Sequence, residues 1–215
     1  MHTIVCFGDS NTWGCPPYDN IAQAPDRIAF DRRWPNIMGR ELGPEVRVVE
    51  EGLGGRTTVF DDAIEGVHKN GSRTLLAIVE SHAPLDLIVM MLGTNDFKAQ
   101  FGISSYNSAR GTLTLIQIIR GYYSLIDTCP EILIVTPASI TADAEPEIWS
   151  DASRRCIGHA HYLEQVAART GCFHFDANKV ARVGSDGIHI AESDHASLGA
   201  ALALEARAIL KLRRS

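Results

Sequence analysis

The segment that most constrains the fold is residues 85–92, an apolar run in which both faces of an extended chain are apolar. Strands buried on both sides are typical of the centre of a parallel sheet, because helices cover both faces of such a sheet. Other short apolar runs predict four more strands, at residues 3–7, 46–49, 132–135 and 172–175. Apolar residues at helical spacing predict helices at residues 34–42, 72–82, 105–126, 150–169 and 194–212.

This alternation of strands and helices predicts an α/β fold. The order favours a flavodoxin-like three-layer α/β/α sandwich with a central parallel five-stranded sheet. The 215 residues contain no internal repeat and no linker, so we expect one domain over residues 1–215. Two long loops are predicted after strand ends, at residues 14–32 and 137–148, and loops of this length are often functional.

Composition excludes several partners. A formal net charge of −6 and the absence of an internal basic run argue against nucleic acid, and no apolar run is long enough to span a membrane. The five cysteines are scattered without a C-x-x-C pair, as is usual in a reducing compartment. The apolar stretch near the N-terminus is too short for a signal peptide, so we expect a cytoplasmic protein.

Four short segments carry the residues suited to catalysis, and three of them directly follow a predicted strand. They are Gly8-Asp9-Ser10-Asn11, Gly52-Leu53-Gly54-Gly55-Arg56-Thr57, Gly93-Thr94-Asn95-Asp96 and, before the last helix, Asp186-Gly187-Ile188-His189. In open α/β sheets the carboxyl ends of the strands form the ligand crevice, so we expect these segments to meet there.

Ser10, His189 and Asp186 have the chemistry of an acyl-transfer site. A serine hydroxyl is a weak nucleophile until a neighbouring base removes its proton, and a carboxylate can orient that base. Gly55 and Asn95 are candidate oxyanion donors, together with the backbone N–H of Ser10. Taken singly, each has an ordinary structural explanation: Ser10 as a helix cap, Gly55 as a tight turn, and Asn95 as an Asx turn or cap.

Together the four segments resemble the SGNH hydrolases, also called the GDSL family, whose blocks contain G-D-S, G-x-T, G-x-N-D and D-x-x-H. The resemblance covers nearly the whole chain. It implies the flavodoxin-like fold, hydrolysis through an acyl-enzyme, and no cofactor. By the same resemblance Ser10 is the nucleophile, His189 the base and Asp186 its partner, while Ser10, Gly55 and Asn95 form the oxyanion hole.

Four longer strings look like the bacterial arylesterase/acyltransferase branch of this family. They are C-F-G-D-S-x-T-W-G from Cys6, E-E-G-L-G-G-R-T-T from Glu50, P-L-D-L-I from Pro84 and L-G-T-N-D-x-K from Leu92. The resemblance implies small-molecule aryl or alkyl esters, acyl transfer to alcohols in some members, and a homo-oligomer that is often an octamer. Asn11 stands where the G-D-S-L string has Leu. We therefore expect Asn11 to alter the acyl pocket, and Trp13 is a second candidate substrate contact.

Other interpretations remain open at this stage. A carbohydrate O-deacetylase would use the same fold, and a non-catalytic α/β binding module would use the glycines at residues 52–55.

We expect no metal site, because His159 and His161 are two residues apart on a predicted helix and point in different directions. We expect Asp96 and Lys98 to form an exposed pair beside Asn95. An unperturbed His189 would make activity fall as the pH drops through about 6.5.

Overall fold

A computed structural model describes residues 1–18, 26–126 and 128–212. Its centre is a five-stranded parallel sheet with the order β2-β1-β3-β4-β5. The strands are β1 (His2–Gly8), β2 (Val46–Gly52), β3 (Leu87–Met91), β4 (Glu131–Thr136) and β5 (Phe173–Asp176). The five strands and their parallel arrangement confirm the predicted sheet. The tail of the predicted loop 14–32 forms a 3-10 helix, while residues 19–25 of that loop lie outside the described residues.

Helices cover both faces of this sheet. They are α1 (Ser10–Trp13), α2 (Trp34–Leu42), α3 (Gly71–His82), α4 (Ser105–Tyr123), α5 (Pro146–Trp149), α6 (Ala152–Arg155), α7 (His159–Thr170) and α8 (Asp194–Ile209). Short 3-10 helices span Phe30–Arg32, Val67–Lys69, Thr94–Phe97 and Ala177–Lys179.

One of the predicted helices is interrupted in the structure. The predicted helix 150–169 is divided into α6 and α7, because Gly158 between them adopts a left-handed conformation that ends regular helical geometry. The start of α3 is capped by the side chain of Asn70, which accepts a hydrogen bond from the Ser72 N–H, and Ser72 itself lies inside the helix.

Two apolar cores, one on each face of the sheet, make the three layers. Alternate residues of β1 point to opposite sides: Ile4 packs with Trp34 of α2 and Leu198 of α8, whereas Val5 packs in the core that contains residues of α3, α4 and α7. All five residues of β3 are buried, as its uninterrupted apolar sequence predicts. This agreement confirms the α/β/α sandwich.

The strand order brings the predicted functional segments to one edge. β1 lies between β2 and β3, so the chain leaves three adjacent strands at Gly8, Gly52 and Met91. The predicted loop 137–148 begins at the end of β4 and leads into α5.

Among the described residues, no helix combines the length and apolar character needed to cross a membrane.

Candidate active site

Ser10 is the first residue of α1, immediately after β1. The Asp9 side chain caps this short helix by accepting a hydrogen bond of 2.9 Å from the Asn11 N–H. Gly14 closes it in a left-handed conformation, with its N–H donating to the Ser10 carbonyl. The sharp turn between strand and helix leaves the Ser10 side chain at the carboxyl edge of the sheet.

A continuous chain of hydrogen bonds joins Ser10, His189 and Asp186. His189 Nε2 lies 2.9 Å from Ser10 Oγ, and His189 Nδ1 lies 2.6 Å from Asp186 Oδ2. The carboxylate can only accept, so Nδ1 carries a proton and donates it to Asp186. In the neutral imidazole Nε2 is then the acceptor for the Ser10 hydroxyl. This arrangement can remove the proton from Ser10 during nucleophilic attack.

Asp186 is held as a carboxylate by the loop around it. Its Oδ1 accepts the backbone N–H groups of Ile188 and His189, each at 2.9 Å, and its Oδ2 accepts the Tyr18 N–H at 3.3 Å. Burial alone would raise the pKa of Asp186, but the hydrogen bonds and the nearby His189 outweigh burial and lower it. Asp186 therefore keeps its charge beside the imidazole.

The pKa of His189 moves in the opposite direction. Burial disfavours the imidazolium, but the hydrogen bond to Asp186, the contact with the Cys15 thiol and the charge of Asp186 together raise the pKa to about 9. The Tyr18 ring covers the imidazole, with 5.2 Å between ring centroids. The site is thus arranged to stabilise the imidazolium that forms when His189 takes a proton.

Gly55 and Asn95 lie on the segments that follow β2 and β3, the two strands that flank β1. Gly55 has a φ of +76°, a conformation that side chains disfavour, and an added Cβ would lie 2.2 Å from Glu65 Oε2. Asn95 Nδ2 donates one hydrogen bond of 3.1 Å to the Arg56 carbonyl. Because that carbonyl follows Gly55 directly, the bond joins the two candidate oxyanion segments.

Comparison with known proteins identifies the family of this chain. Residues 6–195 match the GDSL-like Lipase/Acylhydrolase family. The chain belongs to this family. No curated protein matches the sequence.

Solved structures of similar fold include two esterases. A carbohydrate acetylesterase from Sinorhizobium meliloti, Est24, superposes with a TM-score of 0.91 at 30% identity, over 97% of this chain and 100% of that one. The native aryl esterase of M. smegmatis superposes with a TM-score of 0.90 at 33% identity, also over 97% and 100%. The fold of this GDSL-like chain is therefore that of the SGNH hydrolases.

A buried polar network holds the segments that carry Gly55 and Asn95 in this family member. Asp96 accepts hydrogen bonds from the Thr58 N–H, the Thr58 hydroxyl and the Ser108 hydroxyl, at 2.8, 2.7 and 2.7 Å. Burial raises the pKa of Asp96 to about 6. The predicted exposed pair of Asp96 and Lys98 is therefore wrong, since both side chains are buried and Lys98 bonds to Asp62 and Glu65 instead.

The Ser10 and His189 side chains line a cavity of about 600 Å³. Gly55, Asn95 and Trp13 also line it, whereas Asp186 and Asn11 do not. Asp186 joins the site through its hydrogen bond with His189. The remaining lining residues are Cys15, Tyr18, Gly52, Leu53, Gly54, Glu65, Lys69, Lys98, Ile148, Trp149 and Ile188. Sequence reasoning missed most of them because they come from loops and short helices whose direction no periodic pattern reveals.

Asn11 does not have the predicted position in the acyl pocket. Its side chain is 1% exposed and forms hydrogen bonds with the backbone on both sides of His189. The α1 helix turns this side chain away from the cavity and toward the loop that carries His189. The Asn11 side chain is therefore not placed to contact the acyl group.

A second cavity, of about 560 Å³, lies at the ends of β4 and β5. It is lined by His159, whose pKa burial lowers to about 4, so the imidazole is neutral. His161, by contrast, is exposed, and the described residues contain no group of three or more His, Cys, Asp or Glu side chains placed to hold a metal ion. None of the residues predicted for catalysis lines this cavity.

Proposed function

We propose that the protein is a serine esterase that cleaves small aryl or alkyl acyl esters through an acyl-enzyme on Ser10. The observation that carries this proposal is the hydrogen-bonded chain from Ser10 Oγ through His189 to Asp186 at the wall of a cavity. Membership of the GDSL-like family supports the same class of reaction.

The reaction follows from the positions of these atoms. Ser10 Oγ attacks the ester carbonyl while its proton passes to His189 Nε2, and the carbonyl oxygen becomes an oxyanion. The N–H groups of Ser10 and Gly55 and the Asn95 amide receive that charge. His189 then gives the proton to the leaving alcohol, and the acyl group stays on Ser10. Water, or an acceptor alcohol, deprotonated by His189, attacks the acyl carbonyl. The bond to Ser10 Oγ breaks, His189 returns the proton to Ser10, and the acid or a new ester is released.

The walls of the cavity favour a compact substrate with an apolar part. Trp13, Leu53, Ile148, Trp149 and Ile188 supply aromatic and aliphatic surface. Aryl and short alkyl groups can remove this surface from water. The similarity to the M. smegmatis aryl esterase points in the same direction.

A carbohydrate acetylesterase is the second candidate, and one side of the cavity favours it. Glu65, Lys69 and Lys98 line the cavity and offer charged groups that can hydrogen-bond to sugar hydroxyls. The similarity to Est24 supports this alternative. Both candidates use the same nucleophile and differ in the alcohol that leaves.

A substrate panel tests the proposal. Initial rates are measured on p-nitrophenyl esters of rising acyl length and on acetylated monosaccharides, with and without an added alcohol. We expect the highest kcat/KM on short p-nitrophenyl esters, and new ester in the presence of the alcohol. Ser10→Ala is the control and should lower kcat by about 10⁶. Equal rates for the variant and the wild type would reject the mechanism, and a preference for acetylated sugars would favour the second candidate.

A further inference from the structure

The side chain of Asn11 connects the helix that carries Ser10 with the loop that carries His189. Its Oδ1 accepts a hydrogen bond of 2.8 Å from the Ile190 N–H, and its Nδ2 donates one of 3.3 Å to the Ile188 carbonyl. Ile188 and Ile190 are the two chain neighbours of His189. One side chain therefore binds the backbone immediately before and immediately after the predicted base.

Few side chains can make this pair of contacts. A primary amide presents an acceptor and a donor on one planar group, whereas a carboxylate only accepts and an aliphatic side chain does neither. Asn11 is also adjacent to Ser10 in the chain. Any movement of the loop relative to α1 must therefore break one of these bonds or shift the Ser10 backbone.

The backbone of Asn11 is itself anchored to the main core. Trp34, fully buried in α2, donates its indole N–H to the Asn11 carbonyl at 3.1 Å. The Asn11 N–H is bound by the Asp9 carboxylate. These hydrogen bonds fix the backbone of Asn11, so its side chain can hold the loop that carries His189 in place.

We propose that Asn11 is a positioning residue, whose side-chain amide sets the 2.9 Å approach of His189 Nε2 to Ser10 Oγ by clamping the loop at Ile188 and Ile190. This inference rests on the proposed function, because it assumes that Ser10 and His189 carry out the reaction. Asn11 does not line the cavity, so it acts through His189 and not on the substrate.

The identity of residue 11 matters for a physical reason. Leu at this position would leave the Ile190 N–H and the Ile188 carbonyl buried without their present partner, and the loop would have to move to satisfy them. A displacement of about 1 Å in a catalytic group can lower the rate by about 10²-fold. The expected effect is therefore on the chemical step more than on substrate binding.

Two substitutions and one matched control test the clamp. Asn11→Leu removes both hydrogen bonds, and Asn11→Asp keeps the acceptor for Ile190 but places a carboxylate oxygen against the Ile188 carbonyl. Thr12→Val is the control, because Thr12 is the next buried residue of α1 and, within the described part of the chain, its hydroxyl has no hydrogen-bond partner. The kcat and KM for p-nitrophenyl acetate are measured, together with the rate at which a fluorophosphonate labels Ser10 and with the thermal unfolding of each variant.

We expect Asn11→Leu to lower kcat and the labelling rate by about 10²-fold, with KM changed by less than about threefold. Asn11→Asp should lower kcat by a smaller factor, and Thr12→Val should match the wild type. Should Asn11→Leu not fold, Asn11→Asp decides by the same measurements. A folded Asn11 variant with wild-type kcat and labelling rate would overturn the clamp, as would a Thr12→Val variant that loses as much activity.

The same measurements separate this inference from the proposed function. If the wild type turns over the ester and is labelled on Ser10 while the Asn11 variants are unchanged, the clamp alone fails. If the wild type is neither active nor labelled, the proposed function fails.

Discussion

The pKa of His189 depends on the balance between burial and its contacts with Asp186 and Cys15. The pKa of about 9 is well above the usual value for histidine near 6.5, and the largest opposing influence, burial, is outweighed chiefly by the hydrogen bond to Asp186. The base must be neutral to accept the Ser10 proton. Activity that depends on neutral His189 is thus present above the raised pKa and is lost as the pH falls through it.

We therefore expect the acidic limb of kcat/KM to lie near 9 and not at the 6.5 of an unperturbed imidazole. Below the limb the rate should fall about tenfold per pH unit. Asp186→Asn should move the limb to lower pH, because the charge that favours the imidazolium is lost, and should lower kcat by as much as about 10⁴. The check is a pH profile on p-nitrophenyl acetate, corrected for spontaneous hydrolysis; a wild-type limb at or below 6.5 would contradict the raised pKa.

Asn95 provides a separate test at the level of one side chain. Asn95→Ala removes a candidate oxyanion donor and should lower kcat by about 10²–10³, with a smaller change in KM. Steady-state kinetics on a short p-nitrophenyl ester measure both parameters. An unchanged kcat would remove Asn95 from the oxyanion hole.

Individual residues differ in how well the sequence predicts them. Ser10, Gly55, Asn95, Asp186 and His189 stand in short strings whose order matches the family blocks. The structure places four of them on one cavity wall and joins Asp186 to them through its hydrogen bond with His189. Because Asn11 is next to the nucleophile in the chain, the sequence predicts that it lies in the acyl pocket, and this prediction is wrong. Neighbours on a helix point in different directions, so adjacency in the chain does not determine which side chain meets the substrate.

At the scale of elements, the break between α6 and α7 is the clearest difference from the predicted helices. Residues 150–169 contain no proline, and their apolar spacing predicts one continuous helix. The break depends on Gly158, which has a φ of +82° directly before α7. Asp151, at a φ of +56°, instead precedes α6 and delays its start to Ala152. Glycine inside a helical pattern is tolerated often enough that the sequence alone does not reveal this change of direction.

The conformation of Gly158 leads to a stability prediction. Alanine there would have space, since the nearest atom to an added Cβ is 3.7 Å away, but it would have to adopt a left-handed backbone. Gly158→Ala should therefore lower the free energy of unfolding by about 1–2 kcal/mol.

Gly121 is the matched control, because it lies in α4 at an ordinary helical φ and nothing lies within 4 Å of an added Cβ. Gly121→Ala should raise the free energy of unfolding by about 0.5–1 kcal/mol. Chemical unfolding at one fixed protein concentration measures both variants. If Gly158→Ala and Gly121→Ala had equal free energies of unfolding, alanine at residue 158 would cause no backbone strain.

At the scale of the whole molecule, the sheet and its two cores follow directly from the apolar periodicity of the sequence. The cavity does not follow from this periodicity. Its wall combines residues from the first loop, the segment around Glu65 and Lys69, and α5, which meet only in the folded chain. Loop direction depends on turns and polar contacts between distant segments, such as the bond between Lys98 and Asp62, and no local pattern encodes these.

The predicted homo-oligomer is a property of the whole molecule. Several large apolar side chains are exposed in the single chain, among them Phe30, Ile64 and Ile157. Ile64 directly precedes Glu65, which lines the cavity, so a second copy packed against Ile64 would lie close to the cavity wall. Light scattering after size exclusion should give a mass that is a multiple of 23.5 kDa. A mass of one chain at all concentrations would contradict the oligomer.

The central claim is that Ser10 is a nucleophile activated by His189 across the carboxyl edge of the sheet. Its most direct test is intact-mass and peptide analysis after reaction with a fluorophosphonate, using the wild type and Ser10→Ala. We predict one adduct per chain, located on Ser10, and no adduct on the variant. Labelling of the variant to the same extent, or an adduct on another residue of the wild type, would contradict the claim.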